Sequence, residues 1–519
     1  MSLPSLLIII VLVGVLVRRW QTSSARLPYP PGPEPSLISG NARDLPAEKP
    51  WLTYSRWAKQ YGSIFHLREY HQHIIVVNSL KDAIALLEKR SRIYSDRPAV
   101  TMVDLMGWDF NAGLIRYGDK WRRHRRLFQE NFRKGASVNY RPLQTREIHN
   151  LLQKLLLTPD NFMLHYRTVA AAILMATMYD HDISEINLER FVTVAEQAVS
   201  KMGDAFLPGA AAVNTFPFLQ HLPSWFPGTG FRALAEGCKV YTDEMQNVPF
   251  EFVKDRMASG AAISALTATL LERNNARGGS TEAEADIKAI TATALTKPFN
   301  PDEQEARTLK TVSALGTFFY AMLVNSDAQR KAQEEIDTVV GTNRLPDYDD
   351  RPTLPYIEAI YREVMRWRPV TPLSISHATS EEDIYNGYYI PKGSVVMPNV
   401  WAMAHDESIY QQPDLFRPER FIDENGQVND DDLILSFGFG RRMCPGRHMA
   451  EATVWLTIVT VLSTFDITKA KDEDGNEIPV DDDYSDSVIS HKLPFQCSIT
   501  PRSAAARDLI LEANTTNDS

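Results

Sequence analysis

Apolar residues recur at helical spacing through much of this chain, for example over Gly237–Ala258, Asp327–Val340 and Ile183–Met202, and that period predicts amphipathic helices. Three short runs, Ser63–Leu67, His73–Val77 and Ser394–Pro398, have strand character instead. From about Ser36 to Ser503 no linker is long enough to separate two domains, and neither internal repeats nor low-complexity tracts appear. The pattern alone therefore predicts a single, mainly α domain with a minor β-sheet.

The first residues depart from this average. Leu3–Val17 is a mostly apolar run of 15 residues closed by Arg18, Arg19 and Trp20. A spanning helix needs about 20 residues, with a lower limit near 17, so a cleaved signal peptide competes. No positive charge precedes the run, however, and no clear small-x-small cleavage site follows it. The arginines follow the run, which predicts that the bulk of the chain stays on the cytoplasmic side. Residues 1–20 thus read as an uncleaved, single-pass signal anchor, and the sequons at Asn514 and Asn517 would stay unused. Leu27-Pro-Tyr-Pro-Pro-Gly-Pro33 cannot be helical and reads as a stiff spacer, so residues 21–35 form a hinge and 36–519 the globular domain.

Composition adds limits rather than direction. The 519 residues are 44% hydrophobic and 23% charged, ordinary for a folded protein. Cys238, Cys444 and Cys497 are too few and too scattered for a disulfide framework, which suits a reducing compartment. A net charge of -10 argues against general nucleic-acid binding.

The chemistry concentrates at Phe437-Gly-Phe-Gly-Arg-Arg-Met-Cys-Pro-Gly446, which leads into the apolar stretch Met449–Phe465. Gly438 and Gly440 let backbone N–H groups approach the Cys444 sulfur, Gly446 leaves room for a flat macrocycle, and the following helix start favours an anionic sulfur. Arg442 can pair with a carboxylate of such a group. A small buried hydrophobe is the commonest fate of a free cysteine, and a zinc site with His448 is a second alternative. Zinc would need about four ligands, and no CxxC or HxxxH partner exists in the chain.

The pattern Phe-x-x-Gly-x-Arg-x-Cys-x-Gly, carried by Phe437, Gly440, Arg442, Cys444 and Gly446, resembles the haem-binding signature of the cytochrome P-450 family. The resemblance covers nearly the whole chain. It implies the mainly helical P-450 fold with haem b sandwiched between two helices, and a Cys444 thiolate on the iron that favours O–O cleavage. Further motifs fall in family order. Glu363 and Arg366 stand three apart and Arg420 follows in Phe416-Arg-Pro-Glu-Arg-Phe421; alone they read as an exposed ion pair, while the resemblance implies a structural charge network. Trp121 and Arg125 read as part of a solvated basic helix, and the resemblance makes them haem propionate contacts. His377 matches a position that reaches a propionate in related fungal members, with a satisfied core histidine as the competitor.

Arg122, Arg123 and Arg126 make the same helix basic in an acidic protein, and the resemblance places the docking site of an NADPH-dependent flavoprotein reductase there. No GxGxxG or flavin module of the chain's own is visible. The aromatic, proline-rich region Phe206–Phe231 reads as an apolar loop at a membrane surface or as core packing. By resemblance it lids a channel for a lipophilic substrate. Ser95–Asn111, Val370–Ile375 and Val488–Leu493 are further candidates for substrate contact.

One segment breaks the family pattern. Aligning on Val312-Ser-Ala-Leu315 puts Arg307 at the glycine, Leu309 at the acid and Lys310 at the first threonine of the oxygen-activating motif. Pro298-Phe-Asn-Pro301 should also interrupt a helix, at roughly 3 kcal/mol per interior proline. A retained intron or missed exon edge, a true insertion with Thr308 or Thr311 supplying the hydroxyl, and impaired oxygen activation are the three accounts. Abrupt resumption of the pattern at Thr311 favours the first. The expected activity is a membrane-anchored haem-thiolate monooxygenase of the endoplasmic reticulum, acting in fungal specialised metabolism. A haem protein with impaired oxygen activation and a reductase-independent haem isomerase or dehydratase stand as alternatives.

Overall fold

The computed structural model describes residues 27–180, 212–261, 263–295, 310–432 and 434–515, with a few positions between 194 and 202. The anchor (1–20), the start of the hinge, most of the helical pattern Ile183–Met202, Thr308 and Asn517 lie outside the described residues, as does the segment 296–309 that breaks the family pattern. Among the described residues no helix is long and apolar enough to cross a membrane.

Helices dominate the rest. The helix expected at Gly237–Ala258 runs over Phe231–Ala258 and keeps Pro249 buried inside it; the one expected at Asp327–Val340 spans Ser326–Val339. Arg447–Thr464 shows how a run of apolar residues interleaved with threonines becomes the central helix. Its residues are buried nearly all round, from Val454 to Leu462 without interruption. Its threonines avoid the cost of burial by bonding back along the helix: Thr453, Thr457, Thr460 and Thr464 donate to the carbonyls four residues earlier at 2.7–3.0 Å. Helices Arg141–Leu157, Lys310–Val324, Ser326–Val339 and Pro355–Trp367 surround it, and Phe162–Tyr179, packed on the first two, shares the same hydrophobic core.

The sheet is minor. β1 (Ile64–Glu69) and β2 (Gln72–Val77) form a hairpin, followed by β3 (His377–Ala378), β4 (Asp383–Tyr385), β5 (Tyr388–Ile390) and β6 (Val395–Pro398). β7 (Phe465–Lys469) and β8 (Cys497–Pro501) complete the set. The largest sheet has the order β1-β2-β6-β3, with β2 and β6 parallel. That parallel pair brings Ile74 opposite Val395 and so closes the chain over more than three hundred residues. The remaining strands form two-stranded pairs, β4 with β5 and β7 with β8.

Candidate active site

A cavity of about 1250 Å³ lies beside the Cys444 segment, and its lining runs from Cys444, Pro445 and Gly446 up to the hairpin tip Asp486–Ile489. Ordinary ligand pockets hold about 300–1,000 Å³, so this one has room for a large flat group and a second molecule. Cys444 sits between the short turn Gly440–Arg442 and the helix Arg447–Thr464; its amide donates to the Phe437 carbonyl at 2.8 Å, which folds the loop back under the sulfur. The helix Arg447–Thr464 starts three residues on.

The two glycines differ in use. Gly440 does not line the cavity: its φ is +53°, and an added Cβ would stand 2.2 Å from the Leu87 carbonyl oxygen. Close backbone approach to Leu87 is what requires glycine there. Gly438, not Gly440, reaches the cavity wall together with Phe437, and Gly446 lines it with nothing within 4 Å of an added Cβ.

One wall is strongly basic. Trp121, Arg125, Phe128 and Phe132 line the cavity from one face of the helix Asp119–Phe132. Arg125 donates to the Met443 carbonyl at 2.6 Å, joining that helix to the cysteine loop. The Arg442 guanidinium lies 4.5 Å over the Trp121 ring and donates to the carbonyls of Ser95 (2.7 Å), Ile115 (3.0 Å) and Ala112 (3.3 Å). Arg97 was not singled out from the sequence. It is buried on the same wall and donates to the carbonyls of Gly113, Ile375 and Ser376 at 2.7–2.8 Å. Its sequence signal, a charged Asp96–Arg97 pair before Pro98, looks like any solvated pair.

Carbonyls satisfy these guanidiniums without neutralising them. Burial, and then the Arg97 charge, pulls Arg442 down to about 8, and burial pulls Arg97 itself down to about 10. Asp96 is the acid beside them. Burial alone would raise its carboxyl, but bonds from Arg116 and the Tyr117 and Arg97 amides outweigh this and hold it below the usual range. A wall with three partly stripped guanidiniums fits a group that presents two carboxylates beside a flat, apolar ring. Haem meets that description, and Cys444, beside Arg442 and the Met443 carbonyl that Arg125 holds, is a sulfur on the same lining that could ligate its iron.

His377 lines the same wall. Its Nδ1 donates to the Tyr94 carbonyl at 2.7 Å, and burial, followed by the charges of Arg97 and Arg442, pushes it down to about 3. Its place on the wall beside Arg97 and Arg442 keeps the propionate contact as an expectation.

Behind the cavity, Glu363 is fully buried and takes Arg366 Nε at 2.7 Å, Arg366 Nη2 at 2.9 Å, Arg420 Nε at 3.1 Å and the Arg417 amide at 2.7 Å. On the outer face of the basic helix, Arg122 pairs with Asp119, and Arg123 is tied to Asp286 at 2.6 Å and Glu282 at 2.9 Å. Arg126 is exposed without an acidic partner among the described residues. Thr311, at the start of its helix, and Thr293 and Ala294, at the end of the helix Thr281–Leu295, line the same cavity. In the aromatic loop, Phe216 meets Tyr70 at 5.3 Å while Trp225 is 79% exposed. Leu37 and Ile38 are exposed on the turn whose Ser39 carbonyl accepts from the Tyr70 amide.

Comparison with known proteins places these features in a family. Residues 30–498 match the family model described as cytochrome P-450. The chain is 42% identical over 484 residues to the cytochrome P-450 monooxygenase claR of Ampulloclitocybe clavipes, covering 93% of this chain and 88% of the relative. It is 37% identical over 517 residues to cytochrome P-450 monooxygenase 208 of Postia placenta, covering 98% and 97%. Against ppsD of Aspergillus oryzae, also named a cytochrome P-450 monooxygenase, it is 36% identical over 513 residues, covering 97% and 95%.

Proposed function

This chain belongs to the cytochrome P-450 family of haem monooxygenases, and from that premise we propose that it oxidises a lipophilic small molecule with O2, using haem b ligated by Cys444. The observation that carries this reading is one cavity whose lining holds both Cys444 and the Arg97, Arg125 and Arg442 cluster. Haem bound there supplies the dioxygen chemistry that leaves one oxygen atom in the product. Everything else is the work of the chain. Cys444 holds the iron from the protein side, and Gly446 keeps the ring's approach free. Arg97, Arg125 and Arg442 neutralise the propionates, with Trp121 packed beneath Arg442. Thr311 lines the cavity at the first turn of its helix and is assigned the role of holding a proton there; Thr308 is the alternative. Ile173, Leu174 and Ile489 form apolar walls for the substrate.

Electrons would come from a separate NADPH-dependent flavoprotein reductase. Because Arg123 is committed to Asp286 and Glu282 and Arg122 to Asp119, Arg126 is the arginine of the docking face without an acidic partner among the described residues. Residues 1–20 would anchor the protein in the endoplasmic reticulum membrane with the globular domain in the cytoplasm. The exposed Trp225, Leu37 and Ile38 would rest on the same bilayer and admit the substrate from it. The relatives are fungal monooxygenases, and a role in fungal specialised metabolism is part of the proposal.

The test is reconstitution with reductase, NADPH and labelled O2 against a panel of lipophilic fungal metabolites. Product carrying one labelled oxygen supports the reading; substrate converted without reductase would favour the isomerase or dehydratase class instead. A second reading follows from Leu309 and Lys310 at the acid and threonine positions: a haem protein with impaired oxygen activation. It predicts normal haem uptake with no substrate-dependent NADPH consumption.

A further inference from the structure

We propose that the hairpin closed by the Tyr484–Lys492 bridge gates the cavity and that Asp486 is its latch, a residue that determines how wide an apolar molecule can pass. This rests on the reading of the cavity as a haem and substrate pocket. The base of the hairpin is fixed. The Lys492 side chain is fully buried, its ammonium 4.9 Å from the Tyr320 ring centroid, 5.4 Å from Phe495 and 5.8 Å from Tyr484. It also donates to the Asp483 carbonyl at 3.1 Å. Ser490 donates its amide to the Val370 carbonyl at 2.9 Å and accepts from the Ser313 hydroxyl through its own carbonyl. Withdrawing the base would strand a cation and break buried hydrogen bonds.

The tip is held differently. Asp486, Ser487, Val488 and Ile489 line the cavity, yet Val488 is 59% exposed, so the tip stands at the mouth. Across the mouth lies the segment Leu45–Trp51, which contributes Pro46, Pro50 and Trp51 to the same lining. The two sides are joined where the Lys49 amide donates to Asp486 Oδ2 at 2.7 Å. Among the described residues this is the tip's one hydrogen bond to another part of the chain, and it is exposed to solvent. Lys49 moreover has φ +42°, a left-handed conformation that a lysine adopts at a cost, so part of the latch's strength is offset by the strain it maintains. A buried, multiply bonded base and a single solvated latch decide how the hairpin moves: it opens at the tip and turns on Lys492.

Ligand exchange on the haem-loaded protein tests this, read as the Soret shift produced when an imidazole nitrogen reaches the iron. Two probes are used, imidazole itself and a bulky N-aryl imidazole, on wild type, Asp486→Ala and Asp486→Asn. Losing one charge-assisted bond at an exposed site should speed both association and dissociation of the bulky probe about fivefold in Asp486→Ala. Imidazole should exchange at the wild-type rate. Asp486→Asn, which keeps an acceptor oxygen, should fall between. Unchanged bulky-probe rates in Asp486→Ala overturn the latch, and so does equal acceleration of both probes, which would mean general loosening. If imidazole gives no shift even in wild type, the haem-pocket reading fails, and the gate fails with it for that separate reason.

Discussion

Replacing Glu363 by glutamine removes one negative charge and almost no volume from a point that solvent does not reach. In the native structure that carboxylate faces two guanidiniums: Arg366 at 2.7 and 2.9 Å and Arg420 at 3.1 Å. At about 4 Å and an effective dielectric near 20, each ion pair is worth about 4 kcal/mol of attraction, and the cost of burying the ions offsets much of it. The intact group is thus close to neutral for stability, but the substitution is not neutral. It strands two buried cations whose remaining partners are carbonyls, those of Ala404 and Pro413 for Arg366. Removing one partner from such a group costs about 3–5 kcal/mol, a large part of a total near 5–15 kcal/mol. Equilibrium urea unfolding reads this as a lower midpoint at unchanged slope. The double variant Glu363→Met with Arg366→Met keeps the volume and removes one stranded cation, so it should recover much of the loss. A Glu363→Gln protein within about 1 kcal/mol of wild type would refute the reasoning, since that is the range of a solvated pair.

Gly440→Ala should lose about 3 kcal/mol, because φ +53° and a Cβ 2.2 Å from the Leu87 oxygen force the backbone to shift; Gly446→Ala should keep its melting temperature and instead lower the ratio of haem to protein absorbance. Burial, then the Arg366 charge, pushes His405 down to about 3, while its ring stacks on Trp401 at 3.9 Å. The folded value lies below the unfolded one near 6.5, so the unfolded chain binds the proton first, and stability present above about pH 6.5 is lost as the pH falls toward 3. His405→Phe should make that decline shallower by up to about 1.4 kcal/mol per pH unit, and an unchanged slope would count against a buried neutral ring. Arg126→Glu should slow reduction by the flavoprotein reductase and blunt its salt dependence, whereas Arg123→Ala should chiefly lower stability, since its guanidinium is bound to Asp286 and Glu282; equal effects on reduction would contradict that division.

What the sequence made legible was local. Ten consecutive residues around Cys444 fix their own turn and helix start, and Glu363 and Arg366 share a helical face whatever surrounds them. Strand positions at Ser63–Leu67 and His73–Val77 were readable from their apolar runs, but the parallel partner of β2 was not, because β6 arrives from more than three hundred residues away. Arg97 escaped notice for the same reason: its role comes from carbonyls at Gly113, Ile375 and Ser376, which only the fold brings together. Gly440 was read as serving the sulfur, when the neighbour that demands glycine is Leu87, remote in the chain. Arg123 looked like its neighbours until Asp286 appeared beside it. A charge's meaning depends on what faces it, and a single chain pattern does not carry that.

The central claim is that the Cys444 thiolate holds the haem iron. The other two cysteines are buried elsewhere, and burial pushes the Cys497 thiol up to about 12, a poor candidate for an anionic ligand. The reduced, CO-bound absorption spectrum of Cys444→Ser, measured beside wild type, Cys238→Ser and Cys497→Ser, tests the claim most directly. The account predicts that wild type and the two control variants show the thiolate-type Soret band and that Cys444→Ser lacks it. A thiolate-type band retained by Cys444→Ser would contradict the account.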